Sequence, residues 1–342
     1  MLQRATTHNV DSILAGTVRP RLSAAARSES RETTARRFHC LAAAAATTRF
    51  LNFVAAASAT AMLQRAPRSA AIRVVRAESL YTSEPDPRMF GNQANARSDR
   101  AWTDDNWLKS RFHFSFAEYG GGPSNFGVLR VMNDDLVQPA RGFGTHGHRD
   151  MEIVTYVVEG ELTHADSGGN AETLGRGAIQ FMSAGQGVRH SEHNRGAKPL
   201  RFIQSWIVPR RRGLAPAYGS ASDFDRIDKW AKLVGDAADA SDDAPVKVEQ
   251  DVSVSATELS PGKCLDLRLG AARQAYLLAV EGAVTLASEK TTASLTTHDA
   301  AELKGPLSLE LSAGAAGAHL LIFEMAATGD GRADAVAAEP RA

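Results

Sequence analysis

The sequence predicts an all-β chain built from two similar antiparallel β-barrels in tandem. Three observations carry that expectation. Apolar residues fall in short β-branched and aromatic runs that end at Gly, Asp or Asn. Long helical periodicity is scarce. And a six-residue string, Val158-Glu-Gly-Glu-Leu-Thr163, recurs as Val280-Glu-Gly-Ala-Val-Thr285, 122 residues further on.

Composition sets the outer bounds. With 342 residues the chain is long enough for two domains, and 43% hydrophobic with 23% charged residues excludes a disordered or collagen-like polymer. Only two cysteines are present, Cys40 and Cys264, which excludes a disulfide framework and a four-cysteine zinc site. The formal net charge of zero hides an asymmetry. Residues 1–76 carry twelve Arg, no Lys and three acids, leaving 27 basic and 36 acidic groups, a net of −9, for the rest. An acidic body offers no electrostatic case for nucleic-acid binding.

Residues 1–70 are rich in Arg, Ala, Ser and Thr, the composition of a transit peptide, and predict a mitochondrial or plastid address. The stretch 41–62 is mostly Ala and is interrupted by Arg49, so it falls short of a membrane span. Met62-Leu-Gln-Arg-Ala repeats the first five residues, which makes Met62 a candidate second start. If the extension is an artefact of the gene, the expected location becomes cytoplasm or nucleus.

From Ile72 the strands follow. Val128–Met132, Ile153–Val158, Ala178–Met182 and Leu200–Val208 form a first set; Ala275–Val280, Leu307–Leu311 and His319–Met325 form a second. Between them Asp223–Ala238 is the best helical candidate. The expected organisation is a transit-like segment (1–70), an amino-terminal domain (71–212), a linker with a helix (213–245), a carboxy-terminal domain (246–326) and a tail (327–342).

Chemistry concentrates in two strings. Thr145-His-Gly-His-Arg-Asp-Met-Glu152 holds His146 and His148; Val188-Arg-His-Ser-Glu-His-Asn194 holds His190 and Glu192. On a strand, residues i and i+2 share a face. Each pair therefore projects together, and two such strands side by side bring three imidazoles and one carboxylate to a point. That donor set suits a first-row transition metal. Glu152 has the same parity as the first two histidines and stands as a rival carboxylate.

Other polar residues are assigned lesser roles. His164 and Asp166 are expected to be structural, His193 to face outward, and His113 to pack in an alternating strand. Arg210-Arg-Arg212 is expected to be solvated. In the second copy the offset of 122 puts the four ligand positions near Arg268, Gly270, Ser312 and Gly314. His298 and His319, the only histidines past residue 245, form no His-x-His or His-x-Glu pair, so that copy is expected to hold no metal.

The strings Gly142–Asn170 and Met182–Asn194 resemble the pirin family of the cupin superfamily, most nearly its bacterial quercetin 2,3-dioxygenases. The likeness runs from about Ile72 to Ala326. It implies a bicupin with one metal in the first barrel, held by His146, His148, His190 and Glu192. It further implies a metal-dependent dioxygenase that cleaves a flavonol-like or enolic aromatic substrate with O2, Glu192 being both ligand and general base. Fe(II) is the first choice of metal, with Ni, Cu, Mn and Co as alternatives. The expected partners are the small aromatic substrate and O2, with no direct nucleic-acid or membrane contact, and the chain is expected to be a monomer. The alternative is a non-enzymatic, iron- or redox-sensing transcriptional cofactor, as other pirins are regarded. One departure is Gly147, where the family commonly carries Pro; it is expected to loosen a loop between the two histidines.

Overall fold

A computed structural model describes residues 71–86, 88–92 and 106–327. The transit-like segment and the tail beyond 327 lie outside the described residues. Among those described, twenty strands and two short 3-10 turns are formed, and no helix is long and apolar enough to cross a membrane.

In chain order the strands are β1 (Ile72–Val75), β2 (Tyr81–Ser83), β3 (Leu108–Phe112), β4 (Leu129–Val137), β5 (Arg141–His148), β6 (Glu152–Glu159) and β7 (Leu162–Asp166). Next come β8 (Ala171–Leu174), β9 (Ile179–Ser183), β10 (Val188–Asn194), β11 (Leu200–Ile207), β12 (Ala217–Ala221), β13 (Ala231–Asp236) and β14 (Val246–Val248). The last six are β15 (Val252–Leu259), β16 (Cys264–Leu269), β17 (Arg273–Ala287), β18 (Thr292–Thr296), β19 (Ala300–Lys304) and β20 (Leu307–Ala326).

The amino-terminal half consists of a four-stranded sheet, β5-β10-β7-β8, and a seven-stranded sheet, β12-β9-β6-β11-β4-β3-β2. The carboxy-terminal half is one branched sheet, β1-β19-β17-β20-β15-β13-β14, with β16 on β20 and β18 on β17. All pairings are antiparallel except β13 with β14.

The six-residue repeat marks a true structural equivalence. Gly160 joins β6 to β7 at φ +76, and Gly282 sits inside β17 at φ +74. A Cβ at the first would lie 2.3 Å from Pro199 O, and at the second 2.2 Å from Gly317 O, so both corners need glycine for backbone approach as well as for φ. Around these corners β4, β5, β8 and β9 correspond to β15, β16, β18 and β19, and β10 with β11 corresponds to the single long β20.

The ladders correct the register expected from the offset of 122. Glu192 pairs with His164, and Leu311 with Leu286; His190 pairs with His146, and Leu309 with Leu267; Val188 pairs with His148, and Leu307 with Leu269. The counterparts of His146, His148, His164, His190 and Glu192 are therefore Leu267, Leu269, Leu286, Leu309 and Leu311. Arg268 and Ser312 have the opposite parity, because shorter turns shift β16 by one residue and β20 by three. A shift of one residue moves every side chain to the other face. All five leucines are buried in one seventeen-residue cluster. The same interior in the first half holds two smaller apolar clusters, one around Trp107 and Phe202 and one around Met151 and Met182.

A fourth cluster lies between the halves, where Tyr156, Ile179, Ile203 and Met132 meet Val254, Tyr276, Leu321 and Phe323. Polar ties flank it. Arg201 donates to both Asp134 oxygens, at 2.8 and 2.7 Å, and to Val280 O at 2.9 Å. His298 Nδ1 meets Asp134 at 2.5 Å, and His319 bridges Tyr156 and Glu281 at 2.8 and 2.9 Å. The two lone histidines of the second half thus join the halves.

One further expectation is corrected here. Asp223–Ala238 is not a helix. Asp223 and Asp228 take φ +63 and +57, which a helix does not allow, and residues 231–236 form β13. The local helical pattern yields to pairing with β15. The arginine triplet is exposed, as expected, with Arg210 paired to Asp236 and Arg211 to Glu249 at the surface.

Candidate metal centre

Strand alternation does bring the first histidines together. His146 and His148 lie on β5, opposite His190 and Val188 of β10. Between His190 and Glu192 the register shifts, because β5 carries an extra residue before His146. Such a bulge re-aims side chains at the edge of a site. No loop separates the two histidines: Gly147 lies in the strand opposite Arg189, and the nearest atom to a Cβ there would be 3.8 Å away. The expected loop at Gly147 is therefore a paired strand.

The ligand atoms of His146, His148 and His190 all lie within 4.8 Å of one another. His146 Nε2 and His190 Nε2 are 3.1 Å apart. Two nitrogens each about 2.1 Å from one ion span such a distance. His146 Nδ1 donates to Gly144 O at 2.8 Å, which leaves Nε2 with its lone pair and fixes the ring. Burial, reinforced by the neighbouring imidazoles, pushes His148 down to about 3 and His190 down to about 2. Both are neutral at physiological pH, the state in which imidazole binds metal. His190 Nδ1 is buried without a hydrogen-bond partner. Three convergent imidazoles, two of them held neutral, fit a divalent transition metal.

Glu192 sits beside this triad. Its carboxylate groups with His190 and His164, again within 4.8 Å, rather than with His146 and His148. It reaches across the interior to the facing sheet, accepting from Gln204 Nε2 at 2.8 Å, with Gln180 Nε2 and Thr155 Oγ1 at 3.4 and 3.5 Å. The rival Glu152 is elsewhere, accepting from Ser183 Oγ at 2.7 Å and from Glu249 N at 3.4 Å. Asp150, at φ +51, breaks the strand after His148, so the parity that linked Glu152 to the histidines does not survive.

Sequence reasoning understated His164. It pairs across β7–β10 with Glu192, and its Nε2 meets Asp166 Oδ2 at 3.1 Å. Its Nδ1 is buried and unpartnered, and its ring stacks on Tyr218 at 4.6 Å. The signal was present in His164-Ala-Asp166, a third i, i+2 pair. Tyr218 gave none, because only the pairing of β12 on β9 brings it there. Asp135 was likewise missed: burial pushes its carboxyl up to about 8, and Ser110 donates to it. His113 packs as expected, buried with Nδ1 2.9 Å from the Tyr276 hydroxyl.

Aromatic rings line both flanks. Trp206 stands edge-on 4.8 Å from His148, and Phe143 lies 6.4 Å from His146.

Two cupin-type halves, one with a three-histidine cluster and one with leucines in its place, define a bicupin. The sequence profile named Pirin matches residues 95–207, and that of the quercetinase C-terminal cupin domain matches residues 237–325. A pirin-like protein of Caulobacter vibrioides is 42% identical over 183 residues, 53% of this chain and 78% of its own length. The quercetin 2,3-dioxygenase of Escherichia coli is 39% identical over 200 residues, 58% of this chain and 84% of its own. The E. coli bacterial pirin YhhW, solved in complex with nickel(II), superposes with a TM-score of 0.63 at 30% identity, over 75% of this chain and 100% of that one. This chain belongs to the pirin family.

Proposed function

We propose that the protein is a metal-dependent dioxygenase of the pirin and quercetinase type, cleaving a flavonol-like or enolic aromatic substrate with O2. The observation that carries this reading is the convergence of His146, His148 and His190 beside a buried carboxylate, Glu192, in a site flanked by aromatic rings. His146, His148, His190 and Glu192 would hold one divalent transition metal, Fe(II) first among the candidates. When bound, the metal supplies Lewis acidity toward an ionised substrate hydroxyl and a redox route to O2.

The chain's own residues do the rest. Glu192 takes the hydroxyl proton on its carboxylate, leaving the substrate as the enolate. Gln204 holds that carboxylate in place through its 2.8 Å hydrogen bond. Trp206 and Phe143 offer apolar faces to a flat ring and exclude water. His164, oriented by Asp166, packs behind Glu192 and keeps bulk solvent from it.

The second half carries leucines where the first carries ligands, and its role is to cover and stiffen the catalytic half. We place the protein in a mitochondrion or plastid on the composition of residues 1–70, a reading that cell fractionation tests.

The deciding experiment loads the purified chain with Fe(II) or Ni(II) and follows O2 consumption with quercetin and with a panel of catechols and enols. Turnover of any of them supports the proposal. A protein that takes up one metal and turns over none is better read as the metal-sensing alternative.

A further inference from the structure

The segment Arg88–Asn92 lies against β5 at the edge of the three-histidine cluster, and the proposed chemistry makes no use of it. Phe90 has φ +57, in the left-handed region that a bulky residue rarely enters. Two fastenings hold it there. Asn92 grips β5 with both ends of its amide, Nδ2 donating to Gly142 O at 2.7 Å and Oδ1 accepting from Gly142 N at 3.1 Å. Asp86 closes the other end, accepting from Arg88 N at 2.8 Å. The fit on β5 is close: a Cβ on Gly144 would lie 2.7 Å from Phe90 O.

This conformation sets the Phe90 ring 5.4 Å from His146, 5.7 Å from Phe143 and 6.1 Å from Trp107. Phe90 nevertheless remains 40% exposed, one of three exposed large hydrophobic residues among those described. A ring packed on a candidate ligand on one side and open to solvent on the other is placed as a wall of the site's mouth. On the other flank Trp206 stands against His148.

We propose that Phe90 is a specificity-determining residue, its exposed face contacting the ring of a planar aromatic ligand as that ligand's oxygens reach His146, His148 and His190. This deepens the dioxygenase reading and rests on it for the natural substrate, but not for the contact itself.

The test uses the full chain loaded with Co(II), 4-nitrocatechol as a planar aromatic probe and azide as a small anionic one. Dissociation constants are read from the visible spectra for the parent, Phe90→Ala, Phe90→Leu and Asn92→Ala. Phe90→Ala should weaken nitrocatechol about tenfold, the scale of one aromatic pair lost, while metal content and azide affinity hold. Phe90→Leu should fall between, and Asn92→Ala should weaken the same probe because the ring loses its fastening. Equal weakening of both probes, an unchanged nitrocatechol constant, or failure of nitrocatechol to bind the parent overturns the proposal. A parent that binds nitrocatechol tightly through Phe90 yet consumes O2 with none of quercetin, the catechols and the enols refutes the dioxygenase reading and leaves the Phe90 contact standing.

Discussion

Replacing Glu192 by Gln separates its two proposed duties, metal ligand and proton acceptor. The carboxylate has one short hydrogen bond, from Gln204 at 2.8 Å, and two long ones, from Gln180 and Thr155 at 3.4 and 3.5 Å. A glutamine oxygen keeps the short bond. Its new NH2 then faces the Gln180 NH2, donor against donor. Flipping the Gln180 amide relieves that clash and sacrifices the 3.2 Å bond its oxygen accepts from Tyr218. The net cost is about one neutral hydrogen bond, roughly 1 kcal/mol, too little to unfold the domain. Three imidazoles remain, so most of the metal should stay. The proton acceptor is gone, and loss of a general base typically lowers the rate about 10²–10⁴-fold, roughly 3–5 kcal/mol in the barrier. Metal content and flavonol-cleavage rate should be measured side by side for Glu192→Gln and His148→Ala, the latter losing the metal outright. A fully metallated Glu192→Gln that cleaves at the parental rate refutes Glu192 as the base.

Three other outcomes are expected. Metal analysis of the loaded chain should return one equivalent, since leucines occupy the second half's equivalent positions; two equivalents would contradict that alignment. Arg201→Met should lower stability by about 3–5 kcal/mol in urea unfolding, because it removes the guanidinium from the buried Asp134 carboxylate and leaves it only His298; a loss below about 1 kcal/mol would show that His298 satisfies Asp134 without Arg201. Burial pushes His113 down to about 4 from an ordinary 6.5, so between those values the unfolded chain binds the extra proton and stability falls as pH drops. Its share of the loss from pH 7 to pH 5 is about 2 kcal/mol. His113→Phe should remove that share of the pH dependence, and an unchanged slope of urea midpoint against pH would show that His113 is not its source.

Much of this arrangement was legible because strands alternate with a fixed period. His146, His148 and His190 needed only that rule, since they sit in unbroken stretches of β5 and β10; the choice of Glu192 over Glu152 came from the family resemblance, and its carboxylate groups with His164 and His190. The rule failed at Glu152, where Asp150 resets the parity, a left-handed residue that sequence does not announce. It failed for the second copy because turn lengths differ, and an odd shift replaces an interior row by an exterior one. Asp223–Ala238 was misread because its local preference is helical while its pairing partner, β15, lies a dozen or more residues downstream. Tyr218 and Phe90 carry no periodic signal at all. Their places follow from the pairing of β12 with β9 and from one asparagine's grip on β5.

The strand exchange between the halves has a consequence for synthesis. The first described strand, β1, pairs with β19 and so belongs to the far sheet, Ile72 lying opposite Leu303. The connecting stretch returns the exchange by lending β12 to the near sheet. As the chain leaves the ribosome, the near sheet's edge is finished only when residue 221 emerges, and β1 waits for a partner more than two hundred residues away. Closing so long a loop costs entropy slowly but delays the contact. Neither half is therefore a self-contained unit for truncation: cutting the chain between them leaves one fragment holding an orphan strand and the other lacking an edge.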